Sequence, residues 1–330
     1  MKTQTTKLSI VSAMMAFMCL LFLPSCGKGK FYSHYGHVFG TYYNIQYQYT
    51  DSLHQEILKC LDDFDNSLST HNPNSTISLI NRNENLDTDP CFEMMFATAQ
   101  EVSELTDGAF DITVAPLVNA WGFGFKNKEK VTQDVIDSLQ QFIGYKTVTI
   151  QNHKVVKQHP ETMLEAAALA KGQSCDMVAQ LLESKGIKNY LVDIGGEVVA
   201  KGKNAKHKNW QIGISQPVND PSGREHGIVK IVSRKNMCMA TSGNYRQYYY
   251  EDGERRSHTI DPRTGYPVNH TLLSATIIAP TCMKADAMAT ACMVLGKDKA
   301  LELVRTLPDI DCFLIYTEND EIKTEQTGKW

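Results

Sequence analysis

Hydrophobic and polar positions divide most of the chain into short strands and helices. Residues 38–49 are rich in aromatic and β-branched side chains, a composition that predicts a strand. Over residues 51–68 the apolar side chains recur at the spacing of one helix face. A second helix is predicted over residues 92–106, because Asp107-Gly108 ends its pattern. The N-terminal part of the chain therefore combines both kinds of element.

The rest of the chain continues this mixture. Further helices are predicted over residues 133–143, 170–184, 283–295 and 297–307. Strands are predicted as a hairpin at 146–158, as a pair around Gly195-Gly196, as several between 210 and 279 with a turn at Asp252-Gly253, and at 312–316. The elements do not alternate as in βαβ units. We therefore predict an α+β fold, with mixed or antiparallel sheets flanked by helices, in one domain over residues 31–330.

The N-terminal segment differs from this pattern. A basic start and an apolar run over residues 8–23 are typical of a secretory signal peptide. An uncleaved membrane anchor is the alternative, but a spanning helix needs roughly 20 apolar residues. The run ends in Leu23-Pro24-Ser25-Cys26, which resembles the bacterial lipobox, whose cysteine is acylated. We predict a lipoprotein signal peptide over residues 1–25, lipidation at Cys26 and a tether over 26–30.

Composition argues against nucleic-acid binding and against a structural zinc site. The 330 residues carry a formal net charge of −4 and no long basic run, so nucleic acid is not an expected partner. With 42% hydrophobic and 21% charged residues, the chain has the composition of an ordinary globular protein. No Cys-x-x-Cys pair occurs, which argues against a structural zinc site.

Two segments carry polar residues that a structural role explains incompletely. Asp107-Gly108 followed by a strand-like run is a common turn, but Asp111 lies among apolar residues, where a carboxylate needs hydrogen-bond partners. Residues 168–173 are expected at a strand-to-helix junction, where free helix amides attract anions and Lys171 adds a positive charge. This segment lacks the Walker spacing, so a surface role is the alternative.

Two later segments are richer in candidate chemistry. Residues 257–267 combine His258 with Asp, Thr and Arg, and their Pro and Gly predict a shaped loop of the kind that carries catalytic groups. Asp286 and Thr290 are four residues apart on a predicted helix, so their oxygens share one face among small apolar neighbours. Such hard oxygen ligands suit Mg²⁺. A satisfied turn and a structural Asp–Thr hydrogen bond are the alternatives.

Together these segments resemble the ApbE flavin transferases, which attach FMN through a phosphoester to Ser or Thr of partner proteins. The resemblance spans nearly all of residues 31–330. It rests on six collinear segments: 107–113, 168–172 with Asp176, 193–196, 240–243, 258–267 and 285–290 before Leu295-Gly296. It implies the ApbE-like α+β domain and a Mg²⁺-dependent FAD:protein FMN transferase.

The family's sites map onto this chain residue by residue. The magnesium site implies Asp286, Thr290 and the backbone carbonyl of Ala168, and His258 is the implied base. The flavin site implies Ala109, Phe110, Asp111, Lys171 and Ile260. Three further positions of this site depart from the family: Phe39 replaces Met, His71 replaces Tyr and Glu165 replaces Asp. His71 changes the chemical type, which leaves transfer and simple hydrolysis both open.

The resemblance also implies partners and a compartment. FAD is the expected substrate, and membrane redox subunits such as those of sodium-pumping NADH:quinone oxidoreductase or Rnf complexes are the expected acceptors. A lipid anchor at Cys26 would hold the enzyme on the periplasmic side of the inner membrane. Two alternatives remain, an FAD pyrophosphatase that releases FMN and AMP and a non-catalytic flavin-binding lipoprotein.

Overall fold

One antiparallel sheet organises the fold. The structure, a computed structural model, describes residues 29–123, 131–217, 227–244, 248–251 and 254–330. Within these ranges eight strands form the sheet in the order β1 (Lys30–Val38), β2 (Thr41–Tyr49), β5 (Tyr190–Ile194), β6 (Glu197–Lys201), β9 (Asn236–Gly243), β12 (Leu272–Ile278), β13 (Asp311–Glu318) and β14 (Glu321–Gln326). Every neighbouring pair in this order is antiparallel.

Three two-stranded hairpins stand outside the main sheet. They pair β3 (Val148–Gln151) with β4 (Lys154–Lys157), β7 (Ile212–Ser215) with β8 (Ile228–Val232), and β10 (Tyr248–Glu251) with β11 (Glu254–Ser257). The helices of the described residues are α1 (His54–Leu68), α2 (Thr76–Asn81), α3 (Pro90–Leu105), α4 (Ala115–Ala120), α5 (Gln133–Gln140), α6 (Ala167–Ser184), α7 (Cys282–Leu295) and α8 (Lys297–Arg305).

The sheet lies between a helical layer and a small β layer. Side chains alternate along each strand, so Val192 of β5 packs with Leu182 of α6 on one face. Leu191, the preceding residue, packs on the other face with Ile214 of β7. Helix α7, buried over most of its length, packs on the helical face against α6, β9 and β12. This arrangement places α6 and α7 side by side above the centre of the sheet.

The predicted α+β class and the predicted helices are confirmed, and the strand predicted at 38–49 is found over Thr41–Tyr49, but three local details were predicted wrongly. The strand predicted at 38–49 is the second half of a hairpin that begins at Lys30. Its turn residues Phe39 and Gly40 have φ of 51° and 70°, which fits a type I′ turn. A positive φ at phenylalanine is uncommon, and the sequence pattern therefore did not indicate a turn there.

The other two wrong predictions concern candidate site segments. The run after Asp111 is a 3₁₀ turn followed by α4, because the Asp111 side chain accepts the Thr113 N–H and Pro116 lies in the first turn of α4. Residues 168–173 lie inside α6 and follow no strand. The segment before α6 bonds to side chains and single carbonyls instead, as in Leu164 N–H to Asn81 Oδ1.

Some predictions concern residues outside the described ranges. These are the signal peptide and Cys26, within residues 1–28, and the turn at Asp252-Gly253. Across the part of the chain that is described, the helices are too short or too polar to cross a membrane.

Candidate active site

Helices α6 and α7 make contact at a glycine. A Cβ on Gly172 would lie 2.7 Å from the Cys282 carbonyl carbon and 2.8 Å from Met283 Cα, so only glycine fits without moving backbone. The Gly172 N–H donates to Asp286 Oδ2 at 3.0 Å. The close approach of the two helices therefore brings a main-chain donor of one helix to the carboxylate of the other.

Asp286 lies in a small charged cluster within this apolar contact. Asp286 is only 2% exposed to solvent. Lys171 Nζ lies 4.0 Å from Asp286 Oδ2 and 3.3 Å from Oε1 of Glu197, the first residue of β6. Burial raises the pKa of Asp286, an effect that the Lys171 charge opposes. Burial alone would lower the pKa of Lys171, but the charges of Asp286 and Glu197 together raise it.

Two further oxygen groups lie one helical turn from the contact between Asp286 and Gly172. Thr290 lies one turn further along α7, and its hydroxyl is 3.1 Å from the hydroxyl of Ser242 on β9. Ala168 lies one turn before Gly172 on α6, so its carbonyl is the regular helix acceptor for the Gly172 N–H. The Gly172 N–H donates to Asp286 Oδ2. The Ala168 carbonyl oxygen therefore keeps capacity to bind a further partner. The predicted association of Ala168, Asp286 and Thr290 is thus compatible with this geometry.

The donor set fits Mg²⁺ better than it fits a transition metal. Among the described residues no three His, Cys, Asp or Glu side chains converge as a metal-binding group. Mg²⁺ often takes one or two carboxylates and leaves its other positions to water and substrate phosphate. One buried carboxylate beside a hydroxyl and a carbonyl therefore fits a magnesium–phosphate site.

Asp176 fixes the start of α7 against α6. Its two carboxylate oxygens accept the N–H groups of Cys282 and Met283 at 3.0 and 2.8 Å. Burial raises the pKa of Asp176 to about 6, although these two hydrogen bonds oppose the shift. The carboxylate accepts hydrogen bonds from the free amides at the N-terminus of α7. Asp176 therefore orients the helix that carries Asp286.

The Gly195-Gly196 turn packs against Lys171. Gly195 has φ of 64°, and a Cβ there would lie 2.9 Å from Thr41 Cγ2 and 3.3 Å from Lys171 Cδ. This turn therefore confines the lysine stem on one side of the cluster. Phe39, in the β1–β2 turn, packs its ring 4.9 Å from that of Phe64.

Glu165 and His71 lie near the start of α6. Glu165 Oε1 accepts the Ala167 N–H at 2.9 Å, which satisfies one free amide of the first helical turn. Burial raises the pKa of Glu165, whereas that hydrogen bond and the nearby His71 oppose the shift. His71 itself is exposed, in the turn between α1 and α2.

Asp111 is a buried carboxylate with its hydrogen bonds satisfied. Oδ1 accepts the N–H and the hydroxyl of Thr113 at 2.8 and 2.7 Å, and Oδ2 accepts the Tyr145 N–H at 2.7 Å. Burial raises its pKa, and these bonds oppose the rise. Ala109 and Phe110 beside it are buried. The observed bonds make Asp111 the anchor that shapes this segment.

His258 begins a tightly braced loop after β11. Asp261 accepts two hydrogen bonds from the Arg263 guanidinium at 2.9 and 2.8 Å, and Trp121 Nε1 donates to the Gly265 carbonyl at 2.8 Å. Ile260 is buried in a cluster that includes Trp121. His258 is half-buried, with its ring centroid 6.4 Å from that of Phe123. These contacts brace the loop that follows His258.

The segment around Asp111 connects the two groups of site residues. A cavity of about 380 Å³ is lined by Asp111, Tyr145 and Arg263 among others, so this segment meets the His258 loop. The carbonyl of the next residue, Ile112, accepts the Glu165 N–H at 2.7 Å, which ties the segment to the start of α6. Lys171, Asp286 and Thr290 form one group, and His258 and Ile260 belong to the other.

Sequence reasoning missed Glu197 and Ser242 as site residues. Ser242 lies in a segment that carried the resemblance, but only the sheet places its hydroxyl beside Thr290. Glu197 follows the Gly195-Gly196 turn and opens a strand whose next three residues are all buried. The sequence signal that could have identified Glu197 is a charged residue placed directly before a run of apolar residues.

Known proteins resemble this chain in sequence and in fold. The sequence matches the ApbE family over residues 39–314. The FAD:protein FMN transferase of Haemophilus influenzae is 36% identical, over 94% of each chain. The flavin transferase ApbE of Vibrio cholerae superposes with a TM-score of 0.81 at 33% identity, over 90% of this chain and 97% of that one. The apo flavinyl transferase ApbE of Pseudomonas stutzeri gives 0.81 at 30% identity, over 92% and 96%. This chain therefore belongs to the ApbE family.

Proposed function

We propose that this protein is a Mg²⁺-dependent FAD:protein FMN transferase, which moves FMN from FAD to a Ser or Thr hydroxyl of a target protein. The observation that carries the proposal is the buried Asp286, placed beside Lys171 and one turn from Thr290 on α7. A structural carboxylate in this apolar contact would be costly. The names of its relatives agree with the same chemistry.

Three groups of the α6–α7 contact would hold the metal. They are the Asp286 carboxylate, the Thr290 hydroxyl and the Ala168 carbonyl. When bound there, Mg²⁺ would neutralise charge on the FAD pyrophosphate and on the departing AMP. Lys171, confined by the Gly195 turn, adds a fixed positive charge to the same pocket.

The flavin part of FAD would be bound by residues from both groups and from the segment that connects them. The proposed contacts are Phe39, His71, Ala109, Phe110, Asp111, Glu165, Lys171 and Ile260. Asp111 and Ile260 are already held by hydrogen bonds and packing. Little reorganisation of these two residues is then required when FAD binds, which favours affinity.

The reaction balances without a further reactant. The acceptor oxygen attacks the phosphorus nearer riboflavin and forms the new phosphoester bond. The bond from that phosphorus to the bridging oxygen breaks, and the bridging oxygen leaves with AMP. His258 accepts the proton of the acceptor hydroxyl, since histidine titrates near neutral pH. A positioned base contributes about 10²–10⁴-fold, so charge stabilisation must supply the larger part of the rate.

An acceptor assay tests the proposal. The domain is incubated with FAD, Mg²⁺ and a candidate acceptor, and the intact mass of the acceptor and the free FMN are measured. An acceptor mass increased by one FMN phosphoester supports transfer. Free FMN with an unchanged acceptor mass would indicate the pyrophosphatase, the alternative left open by His71. Bound but uncleaved FAD would indicate a binding protein.

The compartment follows from the N-terminal sequence. We propose that Cys26 is acylated after removal of residues 1–25 and that the lipid holds the domain at the periplasmic face of the inner membrane. Subunits of membrane redox complexes are the proposed targets. The support for this location is the apolar run that ends in Leu23-Pro24-Ser25-Cys26.

A further inference from the structure

Glu197 is a buried carboxylate to which the proposed reaction assigns no role. It opens β6 directly after the Gly195-Gly196 turn and is 3% exposed. Its Oε1 lies 3.3 Å from Lys171 Nζ. Its Oε2 is buried and has no hydrogen-bond partner among the described residues. Burial raises the pKa of Glu197 to about 8, and the Lys171 charge opposes that rise. Glu197 therefore depends on Lys171 for compensation of its charge, since an unpaired buried carboxylate is strongly unfavourable.

Lys171 lies between two carboxylates that compete for it. Its ammonium is closer to Glu197, at 3.3 Å, than to Asp286, at 4.0 Å. Among the side chains that the structure describes, Asp286 is the other carboxylate within ion-pair distance of Lys171. A direct Lys171–Asp286 ion pair would place a positive charge where Asp286 is proposed to bind a divalent cation.

Helix α6 and strand β6 are joined by a second ion pair, which serves as a structural comparison for the Lys171–Glu197 pair. Lys201 of β6 bonds to Glu183 of α6, and both side chains are 42% exposed. Glu183 also accepts a hydrogen bond from Tyr190. The Lys171–Glu197 pair is instead desolvated on its glutamate side, where ion pairs contribute little net stability. Stability alone therefore does not explain it.

We infer that Glu197 is a positioning residue that holds and neutralises Lys171, so that Asp286 stays available to the divalent cation. The inference rests on the proposed function in one respect, because Asp286 must be a metal ligand. It assigns Glu197 an action through Lys171 and not as a ligand of the metal. Removing Glu197 should then weaken cation binding, and removing the lysine as well should restore it.

Binding of Mn²⁺ alone, followed by the EPR signal of the free ion, tests this without any turnover. We expect Glu197→Gln, which keeps the shape, to weaken Mn²⁺ affinity by at least about tenfold, since the amide no longer neutralises Lys171 and the lysine charge then acts on Asp286. Lys171→Met/Glu197→Gln should recover most of that loss. Glu183→Gln is the matched control on α6 and should bind Mn²⁺ as the wild type does. Circular dichroism checks that each variant is folded.

The other outcomes have distinct meanings. Wild-type affinity in Glu197→Gln would overturn the inference, and a double variant as weak as Glu197→Gln would make Glu197 a direct ligand instead. If Glu197→Gln does not fold, Lys171→Met alone decides, because it should bind Mn²⁺ at least as tightly as the wild type. A wild-type protein that binds no Mn²⁺, or an Asp286→Asn variant that binds it normally, would refute the proposed metal site itself.

Discussion

Asp286 is the buried side chain on which the proposed metal site depends. It is 2% exposed, and its nearest cation, Lys171, lies 4.0 Å away and closer to Glu197. Burial raises its pKa despite the Lys171 charge. A metal ligand must be deprotonated to bind, so this raised pKa couples metal binding to pH.

The coupling predicts how Mg²⁺ stabilises the protein. With its folded-state pKa raised, the Asp286 carboxyl favours the folded protein while protonated, and this contribution is lost as the pH rises through that pKa. Mg²⁺ binds the ionised form, so we expect it to raise Tm more at about pH 8 than at about pH 5. At a concentration about 100 times its Kd, the stabilisation would be about 2.7 kcal/mol. Differential scanning fluorimetry measures it.

Asp286→Asn is the control for that experiment. It removes the charge and keeps the shape, so the variant should fold, show no pH-dependent response to Mg²⁺ and lose nearly all turnover. A variant that still responds to Mg²⁺ as the wild type does would place the metal elsewhere.

His258 has a role that substitution can separate from binding. As the base, His258→Ala should lower turnover by about 10²–10⁴-fold while FAD affinity is retained. FAD affinity and AMP release are measured on one preparation across pH. Parallel loss of both would make His258 a ligand contact, and an unchanged rate would assign the loop to scaffolding.

Some site residues could be predicted from local spacing and others could not. Asp286 and Thr290 share a helix face, and their four-residue spacing indicated this directly. The His258 loop was indicated by its Pro and Gly. Glu197 was missed because a glutamate after a Gly-Gly turn is usually solvated. Its burial depends on Lys171, which a different element supplies.

The contact of α6 with α7 is the element-level feature on which the site depends. Gly172 allows it, and we expect Gly172→Ala to destabilise the protein. The added Cβ would press on Cys282 and Met283 backbone, and overpacking costs about 1–3 kcal/mol. That exceeds the gain of about 0.5–1 kcal/mol from replacing a helical glycine.

Chemical denaturation measures this change, with the exposed Gln180→Ala on the same helix as control. The control should stay within about 0.5 kcal/mol of the wild type. A Gly172→Ala variant as stable as the wild type would mean that the helices can separate without penalty.

Long elements with one apolar face were predictable, whereas short or strained ones were not. Helix α1 was found from its spacing to within three residues at its start. Helices α2 and α4 have six residues each, too few for a periodic pattern. The β1–β2 turn has a phenylalanine at positive φ, where the sequence carries no usual turn signal before Gly40.

The protein as a whole is built from strand pairs that are distant in the sequence. Strand β9 lies between β6 and β12, and β2 pairs with β5 across a long helical segment. Local patterns contain no information on such pairing, so the α+β class followed from them but the strand order did not. The resemblance to the ApbE family supplied the architecture that spacing could not.

Membrane attachment is the prediction that concerns the full-length chain. Cys26→Ser removes the proposed acylation site, so the protein should move from the membrane fraction to a soluble one or remain as unprocessed precursor. Cell fractionation and the N-terminal mass distinguish these outcomes. A wild-type protein that stays membrane-bound with its first residues intact would support an uncleaved anchor.

The most direct test of flavin transfer is the ratio of FMN joined to the acceptor to AMP released. Both products are quantified in one reaction with FAD, Mg²⁺ and the acceptor, by intact mass and by chromatography. Transfer predicts one FMN on a Ser or Thr for each AMP, and both products disappear in Asp286→Asn. AMP formed with free FMN and an unmodified acceptor would contradict transfer.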